Sequence, residues 1–296
     1  MMNLYFFNKL LSYLGLRPSS FVFCIVGGLF LMAMPDEVLA QEKGYKLPNI
    51  NLSHWKVTLP IENPKKVEPP EILEYATNKA LMPFMYNDST DGSLVFYTYP
   101  GGTTKNTKYS RTELREQMDP GNYKKNWTFT EGGRMKGTIQ MDDISKDANG
   151  KYHKTIIMQI HGRLSDEQKQ LIGKDDNDAP PILKIYWQKG GIRVKTKVLR
   201  KKKVSDKDVL KKDMWIDDEG KYFKQLVGFE PFTLEVIASE GRLEVVLNGN
   251  ESLVYESKDM ERWSVFENYF KAGNYLGTRD EGAFAKVKFF DLTVEH

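Results

Sequence analysis

Apolar and polar positions alternate with a period of two along most of this chain. The clearest stretch is Thr155-Ile156-Ile157-Met158-Gln159-Ile160-His161. Ile156, Met158 and Ile160 alternate with Thr155, Ile157, Gln159 and His161, which predicts a strand with one face in a core. Gln159 and His161 then project from the other face, roughly 7 Å apart at two residues' rise. An amide and an imidazole on the open face of a sheet suggest a site. A half-exposed strand whose polar residues merely meet water explains this segment equally well.

The same alternation recurs elsewhere. Trp55, Val57 and Leu59 predict a first strand, ended by Pro60. The charged, proline-containing stretch 61–75 reads as loop with one short helical turn. Residues 93–99 form a β-rich run that Pro100-Gly101-Gly102 ends. In Tyr109-Ser110-Arg111-Thr112-Glu113-Leu114-Arg115-Glu116, a strand would place Arg111, Glu113 and Arg115 on one face. Charges so arranged are uncommon unless they meet each other or a charged ligand. Short alternating runs fill 126–145, and a long polar loop is expected over 162–180, closed by Pro180-Pro181. Residues 183–187 and 192–199 read as a hairpin around Gln188-Lys189-Gly190-Gly191. Residues 242–247 and 252–255 read as another around Asn248-Gly249. Tyr269, Lys271, Gly273 and Tyr275 share a face of a later strand, where Gly273 allows another chain to approach closely. Residues 286–294 predict the last strand. About a dozen short strands with no heptads, no repeats and no long helical pattern predict one all-β domain over residues 41–296, a sandwich or a barrel.

Composition narrows the picture. The chain has 296 residues, 40% hydrophobic and 28% charged, which is ordinary for a globular domain with one sizeable core. Its net charge of +3 gives no argument for nucleic acid as a partner. Lys9 and Arg17 precede an apolar run over 21–34, and Val38-Leu39-Ala40 supplies small or short residues before Gln41. Residues 1–40 therefore read as a secretory signal cleaved near Ala40. The run is short of the roughly 20 residues that span a bilayer. No stable membrane association is expected after cleavage. The sole cysteine, Cys24, lies in this segment, so disulfides do not hold the mature chain together. Export without disulfides points to a bacterial secreted or periplasmic protein.

Charge is uneven. Residues 184–212 hold twelve Lys or Arg against two Asp. This run is either a solvated basic face or a steering patch for a polyanion. Lys195, on the polar face of its second hairpin arm, is its candidate substrate contact.

Three predicted strands thus carry alternating polar sets: Arg111/Glu113/Arg115, Gln159/His161 and Lys271/Tyr275. On one concave face they would assemble cations, an amide, an imidazole and a phenol, with Glu113 the only acid. That inventory suits an anionic substrate and not a glycosidase, which needs two carboxylates flanking the bond. The four histidines, His54, His153, His161 and His296, form no HxH or HExxH pair, so no metal site is expected. His153 reads as a solvated strand end. No G-x-S-x-G elbow supports a serine nucleophile. The chemistry that fits is β-elimination on a polyuronate, without a cofactor. Arg111 and Gln159 would bind the carboxylate whose charge must be neutralised. His161 would take the C5 proton, and Tyr275 would protonate the leaving O4.

The blocks Ser110-Arg111-Thr112-Glu113-Leu114-Arg115-Glu116, Gln159-Ile160-His161 and Tyr269-Phe270-Lys271-Ala272-Gly273-Asn274-Tyr275 resemble the three motifs of polysaccharide lyase family 7, the alginate lyases. Trp55-Lys56-Val57-Thr58-Leu59-Pro60 is similar as well, and the resemblance spans roughly residues 50–296. It implies a β-jelly roll of two antiparallel sheets with a concave groove for alginate. It implies Arg111, Gln159, His161 and Tyr275 as the catalytic set. Glu113, Arg115 and Lys271 match positions that support or contact substrate. A monomer is expected. Isoleucine between Gln159 and His161 implies acceptance of guluronate-containing blocks. For mannuronate, the resemblance lets the tyrosine serve as both base and acid. The chain departs from the family after Tyr275, where Gly277 stands in place of a frequent glutamine. The long 162–180 loop is expected to narrow the groove. Alternatives are a lyase for another polyuronate such as glucuronan, and a non-catalytic carbohydrate-binding jelly roll.

Overall fold

A computed structural model describes residues 46–296; the expected signal segment 1–40, Cys24 included, lies outside the described residues. Among the described residues, eighteen strands form two sheets and no helix exceeds six residues. The first sheet runs Glu251–Glu256, Arg242–Leu247, Phe232–Ser239, Gly133–Ile144, Ala285–Glu295, Ser93–Thr98 and Met85–Asp88, with Asn49–Ile50 parallel to Ala285–Glu295. The second runs Trp215–Asp217, Gly191–Leu199, Asp178–Gln188, Lys154–Arg163, Glu267–Leu276, Arg111–Glu116, Trp55–Thr58 and Lys66–Val67. Lys221–Leu226 and Trp127–Thr128 add to it at Gly191–Leu199 and Glu267–Leu276. Every other pairing is antiparallel. This is the all-β jelly-roll sandwich of two antiparallel sheets that the resemblance implies.

The inward faces meet in one core. Leu114, Met158, Ile160 and Phe270 of the second sheet pack with Phe96, Val287 and Phe289 of the first. Each such side chain contributes about 1.5–3 kcal/mol by leaving water. Phe96 and Phe289 meet edge to face at 5.4 Å.

The expected hairpins form where the turn chemistry allows. Lys189 (φ 56°) and Gly190 (φ 76°) close the pair Gln188↔Gly191. Asn248 (φ 51°) and Gly249 (φ 70°) turn the chain between Arg242–Leu247 and Glu251–Glu256. The helical turn in 61–75 is a 3₁₀ turn at Glu71–Glu74.

Three expectations shift. The runs over 126–145 contain one twelve-residue strand, Gly133–Ile144. The 162–180 loop is shorter than expected, because Lys154–Arg163 runs through Arg163 and the next strand starts at Asp178. Between them Ser165 caps a short helix, Asp166–Leu171. Pro180 and Pro181 lie inside that next strand, where the register with Lys154–Arg163 slips around Pro181. Finally, strict alternation fails in Lys154–Arg163. Met158 pairs with Ile185 but Ile156 with Tyr186, so Ile157 is an extra residue. That bulge turns Ile157 and Thr155 into the core and Ile156 outward.

Candidate active site

Three adjacent strands of the second sheet carry the site, with Glu267–Leu276 in the middle. Backbone register sets its grid. Tyr275 lies opposite Arg111, Gly273 opposite Glu113 and Lys271 opposite Arg115. On the other flank Lys271 lies opposite Gln159, and Tyr269 opposite His161. The outward side chains line a groove of about 680 Å³. Arg111, Gln159, His161 and Tyr275 all line it, as do Arg115 and Lys271.

The inward residues of the same strands show why the grid holds. Thr112 Oγ1 donates to Tyr97 O of the other sheet at 2.6 Å, and Leu114 is fully buried. Glu116 accepts from Trp127 Nε1 (3.1 Å) and the Phe270 amide (2.8 Å), and pairs with His296 Nε2 (2.6 Å). The middle strand bulges too: Ala272 pairs with Met158 but Tyr275 with Ile156. Gly273 has φ 132°, and a Cβ there would stand 2.7 Å from Thr112 O. The close neighbour that glycine predicts is therefore the adjoining strand. The bulge turns Asn274 inward, where Nδ2 donates to Phe96 O (3.0 Å) and Ala285 O (2.7 Å), and Oδ1 accepts from Thr155 (2.7 Å). The bonds to Phe96 and Ala285 cross between the sheets, and together the three anchor the residue before Tyr275.

Glu113 organises the floor of the groove without lining it. It is 2% exposed, and Gly273 opposite it has no side chain to obstruct it. Gln159 Nε2 donates to its Oε1 at 2.5 Å, Lys271 Nζ donates to its Oε2, and Arg111 Nε lies 3.6 Å from Oε2. The alternating charges of Arg111–Glu116 thus meet each other and their neighbours, as expected of charges on a sheet. Arg111 Nε is nonetheless buried without a hydrogen-bond partner, and its Nη2 reaches Thr104 Oγ1 only at 3.4 Å. A partly buried guanidinium left with donor capacity suits an anionic ligand. Gln159 Nε2 has a second hydrogen to offer.

His161 stacks on Tyr269 at 5.3 Å, and the Arg115 guanidinium covers the Tyr269 ring at 3.9 Å. His161 Nδ1 lies 2.9 Å from Gly162 O. A carbonyl only accepts, so Nδ1 carries the hydrogen and Nε2 the lone pair. Burial, then the positive charges of Lys271, Lys212 and Arg111, hold the imidazole well below its usual pKa. It is neutral at neutral pH. Burial raises the Tyr275 pKa, against Arg111, so the phenol keeps its proton. Burial pulls the Lys271 ammonium down to about 8, with Glu113 resisting.

Connections also wall the groove, Thr104 to Lys108 among their residues. Asn106, between the Ser93–Thr98 and Arg111–Glu116 strands, donates to Asp176 of the 164–177 connection at 3.2 Å. Arg279 holds Lys108 O at 2.9 Å. Lys154 flanks Gly277 at the position where the resemblance calls for a glutamine. Lys195 sits opposite Lys184 on the same sheet face, one strand further out. Lys184 lines the groove and Lys195 does not. Part of the basic run is spent on structure: Lys184 and Lys197 both pair with Asp217, and Lys212 with Asp178. His153 is buried, not a solvated strand end. Nδ1 meets Ser145 Oγ and Nε2 meets Asp280, each at 2.9 Å. The Ser145 hydroxyl is also held by both backbone groups of Phe284, which fits a clamp. Asp178, Lys212, Lys56 and Tyr186 also line the groove; Lys56 lies in the Trp55–Pro60 block and Lys212 closes the basic run, but no pattern in its own segment marks Asp178.

A family model described as alginate lyase matches residues 50–296. No curated protein matches the chain. Among solved structures, the alginate lyase A1-II′, described as a member of polysaccharide lyase family 7, is 30% identical, with a TM-score of 0.66 over 84% of this chain and 96% of that one. A form of it with a tyrosine replaced, in complex with product GGG, aligns with TM-score 0.67 at 28% identity over 84% and 97%. The alginate lyase PA1167 from Pseudomonas aeruginosa shares the fold at 20% identity, with TM-score 0.61 over 83% and 99%. Matched from residue 50 to its last strand and bearing the family's three strand motifs around one groove, the chain belongs to the alginate lyases of polysaccharide lyase family 7.

Proposed function

We propose that this protein cleaves the 1,4-glycosidic bonds of alginate by β-elimination, leaving a 4,5-unsaturated uronate at the new non-reducing end. The observation that carries this reading is the meeting of Arg111, Gln159, His161 and Tyr275 in one cationic groove. Arg111 and Gln159 bind the uronate carboxylate at the cleavage point and spread the charge that develops as C5 loses its proton. His161 Nε2, unprotonated at neutral pH, takes that proton. Its electron pair forms the C4–C5 double bond, the C4–O4 bond breaks, and the Tyr275 phenol protonates O4. Glu113 positions Gln159, Lys271 and Arg111, while Arg115 and Lys271 contact neighbouring carboxylates. Lys195 meets the chain beyond the groove. No cofactor takes part.

Guluronate-containing blocks are the preferred substrate in this reading. Ile160 between Gln159 and His161 supports that preference, as does the GGG product held by the related A1-II′ structure. The signal pattern of residues 1–40 supports export to the periplasm or beyond. The test is ultraviolet absorbance from unsaturated ends with polyguluronate, polymannuronate, mixed alginate and glucuronan. His161→Ala and Tyr275→Phe should each lower turnover about 10²-fold or more with the fold intact. Binding without absorbance on every polymer would make the protein a carbohydrate-binding jelly roll instead.

A further inference from the structure

Among the described residues, eleven Lys or Arg line the groove, and a single carboxylate does, Asp178. On the wall of a site for a polyanion, that carboxylate repels substrate and calls for a reason. Its surroundings supply one. Asp178 Oδ1 lies 4.0 Å from His161 Nε2, the nitrogen that carries the lone pair. Its other oxygen pairs with Lys212 Nζ at 2.7 Å, and Lys174 Nζ holds its backbone carbonyl at 2.6 Å. Asp178 is thus fixed from two directions and partly neutralised on the side away from the imidazole.

We infer that Asp178 is a positioning residue for the elimination: it faces His161 Nε2 and stabilises the imidazolium formed when that nitrogen takes the C5 proton. This rests on the β-elimination reading above. The largest charges acting on His161 are positive: Lys271 of the middle strand, Lys212 of the opposite connection and Arg111 of the strand beyond the middle one. Tyr269 stacks on the ring as a neutral phenol whose pKa burial raises, and Arg115 caps that phenol. Glu113 lies in the floor, committed to Gln159, Lys271 and Arg111. Among cations alone, a neutral imidazole resists protonation and is a poor base. At 4.0 Å Asp178 makes no hydrogen bond to Nε2, so the lone pair stays open to substrate, while the attraction for the imidazolium acts at full strength only once the proton has arrived. Asp178 itself takes no proton. The C5 proton ends on Nε2 and the Tyr275 proton on O4, and exchange with water restores both groups.

Asp178→Asn and Lys212→Met test this with opposite signs. A neighbouring anion raises an imidazole pKa and a neighbouring cation lowers it. The base works unprotonated, so the acidic limb of kcat/KM on a defined uronate oligomer follows the His161 pKa. In Asp178→Asn the limb should move down by about one pH unit and the plateau kcat fall about tenfold, with KM little changed. In Lys212→Met the limb should move up. Asp178→Glu should recover most of the plateau. His161 is one of four histidines, so its ring proton can also be titrated by NMR in each variant. Superimposable titrations and pH profiles would overturn the inference. So would movement of both variants in the same direction, or an unchanged kcat in Asp178→Asn. If the wild-type protein cuts no polyuronate, the functional reading fails, and the titration still shows whether Asp178 and His161 are coupled.

Discussion

Glu113→Gln should damage stability and turnover together, because one buried carboxylate holds three groups of the groove. The substitution keeps shape and removes charge. The Arg111 guanidinium stands 3.6 Å from Glu113, and Lys271 is hydrogen-bonded to it. At an effective dielectric of about 20, each such pair is worth about 4–5 kcal/mol before desolvation is counted. Breaking a buried pair while its partner charge remains costs about 3–5 kcal/mol. For a domain of this size that lowers the melting temperature by roughly 10 °C. The amide can still meet Gln159 and Lys271, but Arg111 loses its anchor. Lys271, already pulled down to about 8 by burial, loses the charge that resists this. Mispositioned carboxylate-binding groups should lower kcat about 10²-fold. Calorimetry and initial rates on polyguluronate measure the two effects. Adding Lys271→Met should restore part of the stability, since the stranded cation is gone, without restoring turnover. The coupling in that double-mutant cycle separates charge from packing. A single variant melting within about 2 °C of wild type, with turnover within about threefold, would refute the argument.

Asn274→Ala should destabilise by roughly 3–6 kcal/mol, because Phe96 O, Ala285 O and the Thr155 hydroxyl each lose a buried partner, and denaturant unfolding reads this. Burial opposes protonation of His296, but the hydrogen bond and charge of Glu116 prevail and hold its pKa above 6.5. Its contribution to stability is therefore complete below pH 6.5 and is lost as pH rises through the higher folded-state value. His296→Ala should remove that slope from the melting temperature. Lys56 has its pKa lowered to about 7 by burial and Arg115, so KM for the polymer should climb as pH rises through about 7. Lys56→Met should abolish the climb; a climb that persists would show that another group carries it.

What could be read from the sequence, and what could not, follows from the range of each physical rule. Alternation reports which side of a strand meets water, a property of each residue alone, so the strands around Leu114, Met158 and Phe270 are legible. The Gln159/His161 pair is legible because two residues on one strand keep their spacing wherever the strand goes. Ile156 and Thr155 are misread because the bulge at Ile157 is imposed by the partner strand, not by the local pattern. The helix Asp166–Leu171 did leave a trace, since Ser165 and Gln168 form a capping box inside what reads as loop. Asp178 leaves none and Lys212 reads only as the end of the basic run: they lie 34 residues apart in the chain, and their meaning appears only when both reach His161. Charge balance in the groove is therefore the part of the site hardest to see in advance. A basic run such as 184–212 looks like surplus until its members are assigned. Lys184 and Lys197 turn out to be occupied by Asp217, and Lys212 by Asp178. Within this run, the cations left to meet a polyanion are those that no carboxylate among the described residues has already claimed.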